Sequence, residues 1–283
     1  MKLNDGGPVH HDRKLPEDLL GRMPGQSVIA ELLREQAQVR PRAWWGRLLG
    51  ISPLTPDTEP WYKGALGEIE VGRILSGLGP GYQVLHAVPV GKADSDIDHV
   101  VIGPAGVFTL NTKNHSGQKV WVSGGTFMVG GHKPPHIHSS VFEAKRAAKR
   151  LGTAVGRPVD VAAMLVLIEP VSLDIKSRPD GVEILTASRL KRWLSRQPQR
   201  LQAAEVELIA AAARAPEVWH ENPPAGQDQT ALAAGFEALH RRVTGARRCR
   251  IAWALAVMGG SVAAAVAAVA PLAGSAYAGL LGG

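Results

Sequence analysis

The sequence predicts an α/β protein, a mixed sheet flanked by helices, followed by a C-terminal transmembrane helix. Three observations predict it. Between Trp61 and Trp193 the apolar positions switch repeatedly between helical spacing and period two. Val159 to Ile168 is almost continuously apolar, as in a strand covered on both faces. From Ile251 to Gly283 no side chain is charged.

The elements follow in order. Ser27 to Arg40 has helical spacing, and Trp44, Trp45, Leu48 and Leu49 form an apolar patch, either packed against the domain or touching a membrane interface. Pro53, Pro56 and Pro60 then break the pattern and mark a linker. Gly64 to Leu78 reads as an amphipathic helix stopped by Gly79 and Pro80. Tyr82–Val90, Asp96–Ile102 and Val107–Lys113 read as strands, the last two joined by the turn residues Gly103-Pro104-Ala105-Gly106. Val120–Val122 and Thr126–Val129 flank Gly124-Gly125, a hairpin. A helix over Ser140–Val155, the Val159–Ile168 strand and helices over Ala187–Ser195 and Pro198–Arg214 complete the unit. Helices on the faces of a mixed sheet are the expected packing.

Composition bounds the function. The 283 residues are 45% hydrophobic and 20% charged, which excludes a globally disordered chain. The single cysteine, Cys249, excludes a disulfide scaffold and a multi-cysteine metal cluster, and fits a reducing compartment. The net charge of +7 permits a polyanionic partner without requiring one. Met1 to Lys14 lacks the apolar core of a secretory signal.

At the other end, Ile251 to Ala270 supplies about twenty residues, roughly 30 Å of helix, enough to cross a bilayer. Arg241, Arg242, Arg247, Arg248 and Arg250 precede it and no basic residue follows, which places everything N-terminal on the cytoplasmic side of a single-pass cell-membrane anchor. An Ala-rich helix buried in a soluble core gives the same pattern, and the arginines suit anionic lipid as well as nucleic acid. The expected organisation is a helical extension and linker over 1–60, the α/β domain over 61–195, a helical extension with a basic juxtamembrane linker over 196–250, the membrane helix over 251–271 and a tail over 272–283.

Chemistry gathers on the first domain helix and the two strands after it. Glu68 lies on the helix, where Gly64 and Gly67 admit a close neighbour. Asp96 and Asp98 share one strand face, and Asn111 and Lys113 share a face of the next. Pairing these strands brings Asp98 near Asn111 and Lys113. Gathered carboxylates repel unless a cation neutralises them. Such oxygen donors suit Mg²⁺, and a metal-bound water beside a lysine suits phosphodiester hydrolysis. On spacing alone, solvated strand-end acids are the better explanation of the pattern.

The motifs Gly64-Ala65-Leu66-Gly67-Glu68, Asp96-Ile97-Asp98-His99-Val100-Val101-Ile102-Gly103, Gly106-Val107-Phe108 and Asn111-Thr112-Lys113-Asn114 together resemble the NERD (nuclease-related) domain. That family is related to the PD-(D/E)xK superfamily. Glu143-Ala144 and the basic helix to Arg150 resemble the family's later helix. The resemblance covers Trp61 to about Trp193. It implies a restriction-endonuclease-like core, Mg²⁺ or Mn²⁺ as cofactor, Glu68, Asp98 and Lys113 as catalytic residues, and Glu68, Asp98 and Asn111 as metal ligands. It also implies DNA as substrate and a homodimer for double-strand cutting. Asn111 departs from the acidic pattern, since an amide ligates without bringing charge. By that reasoning Asn111→Asp tightens Mg²⁺ binding.

Other candidates are Lys145, Arg146, Lys149 and Arg150, a basic helix face suited to a nucleic-acid backbone, with His115 in reach of a phosphate. His132, His136 and His138 offer imidazoles for Zn²⁺ but no fourth ligand. His99 is expected to pack or to support the site. Two functions follow: a membrane-anchored, metal-dependent nuclease, or a nuclease-like module that binds nucleic acid or a protein partner at the membrane.

Overall fold

The computed structural model describes residues 18–90, 96–222 and 226–281, with side chains as far as Gly259. After a 3-10 turn (Leu19–Gly21) come α1 (Gln26–Ala37), α2 (Trp44–Leu48) and α3 (Thr58–Leu75). The strands β1 (Gln83–Pro89), β2 (Asp96–Gly103), β3 (Gly106–Asn114), β4 (Lys119–Ser123) and β5 (Thr126–Val129) precede α4 (His136–Val155). Then follow β6 (Val161–Ile168), β7 (Ser172–Ser177), β8 (Val182–Thr186), α5 (Ala187–Ser195), α6 (Ala203–Ala213), α7 (Pro216–Trp219) and α8 (Gln229–Leu281). Among the described residues the chain divides into two compact units, one over 18–32 and 60–232, the other over 33–59 and 233–281.

The first unit is the mixed α/β body. Its five-stranded sheet runs β1-β2-β3-β6-β8. The first three strands form an antiparallel meander, and β3, β6 and β8 pair in parallel. A parallel neighbour requires a crossover, which the β4–β5 hairpin and α4 supply. One sheet face buries Phe108, Leu110, Met164 and Val166 against Val71 and Leu75 of α3 and Leu190 and Leu194 of α5. The other buries Val100, Ile102 and Val107 against Ala147 and Leu151 of α4 and Val206 and Ile209 of α6. A three-stranded sheet, β5-β4-β7, adds Val120, Val122 and Phe127 over Ile137, Leu165 and Leu167.

Four local readings differ from the sequence expectation. The domain helix starts at Thr58, six residues early, because Pro60 falls in its first turn, where no intrahelical N–H is lost. β7 was not foreseen: its alternation is only two apolar residues long, Leu173 and Ile175, and the strand is largely exposed. β8 was also missed, although Val182 and Ile184 alternate after the Pro179-Asp180-Gly181 turn. The segment 18–32, expected in a separate extension, packs on the α/β body: Leu19 N–H donates to the Arg214 carbonyl at 3.1 Å, and Asp18 pairs with the Arg214 guanidinium. Pro24 of this segment lies flat on Gly72 of α3, where an added Cβ would come within 2.3 Å of the proline ring.

In the second unit α2 packs on α8. Gly50 adopts φ +70°, and a Cβ there would lie 2.6 Å from the Ala246 carbonyl. The Leu48 carbonyl accepts from Cys249 Sγ at 3.0 Å and from Trp253 Nε1 at 2.8 Å. Trp44 and Trp45, for which packing against the domain was one expectation, are 76% and 52% exposed. No helix among the described residues is long and apolar enough to cross a membrane. Within the expected span 251–271, residues 260–271 lie outside those with described side chains.

Gly72→Ala should therefore lift the 18–32 segment, at a cost of about 1–3 kcal/mol from overpacking. Hydrogen exchange resolved by peptide should show faster exchange over residues 18–32 with the sheet still protected.

Candidate active site

The site lies at the end of the large sheet where β2 begins and β3 finishes. The antiparallel register, with His99 opposite Leu110 and Gly103 opposite Gly106, puts the start of one strand beside the end of the other. Asp98 thus lies beside the β3 backbone and within reach of the Lys113 charge. Asp98 is fixed by the backbone: the Thr112 N–H donates to its Oδ2 at 2.5 Å.

Helix α3 brings in Glu68, which is 4% exposed. Gly67 makes the approach feasible. Its missing Cβ would lie 3.3 Å from both Thr112 Cγ2 and Ile168 Cγ1, so the close neighbours are side chains of β3 and β6. Helix α4 adds Glu143, whose two carboxylate oxygens accept from Asn111 Nδ2 at 3.0 and 3.1 Å. The N-terminal segment contributes as well. Arg22 donates to Ser27 Oγ at 3.3 Å, Ser27 bonds the Asp96 carboxylate, and the Arg22 charge acts on the same group.

Four carboxyl groups therefore gather here, three of them (Glu68, Asp98 and Glu143) under the influence of the Lys113 charge, and their electrostatics record the crowding. Burial, then the charges of Asp98 and Asp96, push Glu68 well above the usual carboxylate range against the pull of Lys113. Asp96 is pushed up to about 6 by burial and by Asp98. Burial raises Asp98 too, opposed by Lys113 and the Thr112 N–H. Glu143 is pushed up to about 7 by burial, with the Asn111 amide opposing and the Asp98 charge adding.

The donor set suits a hard divalent cation. Glu68 Oε2, Asp96 Oδ2 and Asn111 Oδ1 are buried oxygens to which no donor among the described residues is bonded. Buried acceptors are ordinarily satisfied, and a cation satisfies several together while offsetting the like-charge repulsion. Among the described residues no group of three or more His, Cys, Asp or Glu forms a ready cage. Mg²⁺ does not need one, since it typically takes one or two carboxylates and keeps several waters.

The histidines separate from one another. His136 packs against His115, tilted, and edge-on to Phe127, at ring-centroid distances of 5.6 and 5.2 Å, while His132 and His138 are exposed. Burial, then Lys113 and His115, lower His136 to about 4, and burial and Lys113 lower His115. His115 is thus a half-buried, neutral ring against the small sheet. His99 is fully buried, its Nδ1 2.8 Å from that of His86 across β1–β2, so it packs.

The basic helix face also divides. Lys145 and Lys149 are exposed on α4. Arg150 donates to the Val218 carbonyl at 3.2 Å, and Arg146 is half-buried within reach of the Glu143 charge. The sequence reading did not place Glu143, Arg22 or Ser27 at the site. Glu143 lay within a recognised helix and α4 periodicity puts it one turn from Ala147; Arg22 and Ser27 sit in a segment with no signal linking it to β2.

Comparison with known proteins accords with this geometry. Residues 63–168 match the nuclease-related domain, NERD, so the chain carries a nuclease-related domain over that stretch. An uncharacterised protein of Bacillus anthracis is 41% identical over 81 residues, 27% of this chain and 37% of the relative, so the chain spans well under half of that relative's length. No solved structure matches significantly.

The raised carboxyls make stability depend on pH. The folded state keeps protons on Asp96 and Glu143 that the unfolded state releases between the ordinary carboxylate range and about pH 6 to 7, so stability should fall as pH rises through that window. In EDTA, thermal melts from pH 4 to 8 should show the decline, and Glu143→Gln should flatten it.

Proposed function

We propose that the chain is a metal-dependent nuclease that hydrolyses DNA phosphodiester bonds, held at the cytoplasmic face of the cell membrane. One observation carries the hydrolytic reading: the Lys113 charge acts on Glu68, Asp98 and Glu143, at the end of a sheet within a nuclease-related domain. That arrangement is in keeping with a restriction-endonuclease-like ancestry.

Glu68 and Asp98 would hold Mg²⁺ or Mn²⁺, with the Asn111 amide oxygen beside them. When bound, the cation would polarise the phosphate and acidify a water. The protein's own groups do the rest. The Thr112 N–H fixes the Asp98 carboxylate, Gly67 lets α3 carry Glu68 to the strand ends, and the Lys113 ammonium orients the attacking water or meets charge developing on the phosphate. Lys145 and Lys149, exposed on α4, would contact the nucleic-acid backbone, while Arg150 and Arg146 serve the fold around it.

Asn111 favours a second reading. An amide where the family's pattern carries an acid weakens metal binding, and a site so weakened would serve a module that binds nucleic acid or a partner protein without cutting.

For the membrane, the support is the uncharged run from Ile251, the arginines before it, and the exposed Trp44, Trp45, Leu48 and Leu49. Tryptophan and arginine together suit the interface of a bilayer with anionic lipids. The full chain should sediment with membranes and resist alkaline carbonate; release by carbonate would sink the anchor.

The nuclease reading is tested with the purified full chain, supercoiled and linear DNA, and Mg²⁺ or Mn²⁺. The parent should cut, and Lys113→Ala should cut at least about 100-fold more slowly. Intact DNA with retained, salt-sensitive binding supports the module instead. In the binding arm, Lys145→Ala with Lys149→Ala should reduce the slope of log affinity against log salt by about 2.

A further inference from the structure

The charge that position 111 lacks is present nearby. Asn111 is 7% exposed, and its Nδ2 is turned toward Glu143, donating to both carboxylate oxygens. Its Oδ1 is left buried with no donor among the described residues, and so is Oδ2 of Asp96, whose charge acts on Glu143. Two buried oxygens without donors, in side chains from different strands, point to a cation rather than to a mere collection of acids.

Glu143 is reached from α4, on the opposite side of β3 from α3. An acid at position 111 would set two carboxylates about 3 Å apart, the distance now spanned by the amide, and like charges that close cannot both be ionised without a cation. An amide at 111 and an acid at 143 are therefore one choice made at two positions: one carboxylate, one amide, and a hydrogen bond between them.

We propose that Glu143 takes the place of the missing acid at position 111, so that a divalent cation is held by two carboxylates, Asp98 of β2 and Glu143 of α4, and by its own waters, with Asn111 fixing the Glu143 carboxylate. This rests on the metal-dependent reading above and changes its ligand set. It also reverses the sequence-level expectation for Asn111→Asp: with Glu143 in place, that substitution adds repulsion and loses the amide donor, and does not tighten binding.

The exchange Asn111→Asp with Glu143→Gln is isosteric and keeps one acid, one amide and the bond between them, with the charge moved to β3. The test is Mn²⁺ titration of the full chain, freed of metal by EDTA, read by the electron paramagnetic resonance of free Mn²⁺ and by the Mn²⁺-dependent rise in melting temperature. The parent should bind Mn²⁺, Glu143→Gln should weaken binding at least tenfold, and Asn111→Asp alone should not strengthen it. The isosteric exchange should bind within about threefold of the parent. A parent that binds beside a folded Glu143→Gln that binds equally well overturns this inference and leaves the metal reading standing. If Glu143→Gln does not fold, the exchange decides: binding tenfold weaker than the parent overturns the proposal. A parent that binds no Mn²⁺ overturns both readings.

Discussion

Like-charge crowding at one end of the large sheet is the constraint to which the α/β body is built. Glu68, Asp96, Asp98 and Glu143 are drawn from α3, β2 and α4 to one end of the sheet, where the Lys113 charge acts on three of them. Isolated, such a group is unfavourable: each carboxyl is buried and each raises its neighbours' affinity for protons. It persists because the surrounding structure holds it. The Thr112 N–H at 2.5 Å ties Asp98 to the β3 backbone, Asn111 ties Glu143, and the Ser27 bond with the Arg22 charge supports Asp96. A site whose carboxyls are held above their ordinary range, and whose buried oxygens lack donors among the described residues, is not arranged for stability.

The fold supplies this crowding by simple means. A tight meander returns β3 beside β2, so residues fifteen apart in sequence share one strand end. The helices then approach from both faces of the sheet. On one side the absence of a side chain at Gly67 lets α3 settle against Thr112 and Ile168. On the other, Ala144 and Ala147 of α4 keep that helix low enough on the sheet for Glu143 to reach Asn111.

Much of this was legible in the sequence, for particular physical reasons. Period-two alternation placed Asp96 with Asp98 and Asn111 with Lys113, because strand faces follow from parity alone. The turn at Gly103 to Gly106 gave the pairing, and with it the encounter of Asp98 with Lys113. Contacts made through tertiary packing were not legible. Parity within a helix does not say which strand a glutamate meets, so Glu143 was recognised as part of a helix and not as part of a site. β7 escaped because its alternation is only two apolar residues long, Leu173 and Ile175, too short to stand out from a loop. The tryptophans at 44 and 45 read ambiguously because hydrophobicity does not distinguish a packed ring from an exposed one.

The Arg22 and Ser27 contacts show that the functional unit is larger than the stretch that matches the nuclease-related domain. That match runs over 63–168 and contains Glu68, Asp98, Asn111, Lys113 and Glu143. It excludes residues 18–32, whose Arg22 and Ser27 act on Asp96. Arg22 reaches the acidic end from before α1 and Ser27 from its first turn, in a segment whose Pro24 seats on Gly72. The same α3 thus carries Glu68 on one turn and the docking surface for this segment on the next. A cation from outside the matched stretch therefore moderates an acidic site inside it, which is how a chain can retain so dense a set of carboxyls and still fold. The matched segment holds the groups proposed for chemistry, and the residues before it make their charge tolerable.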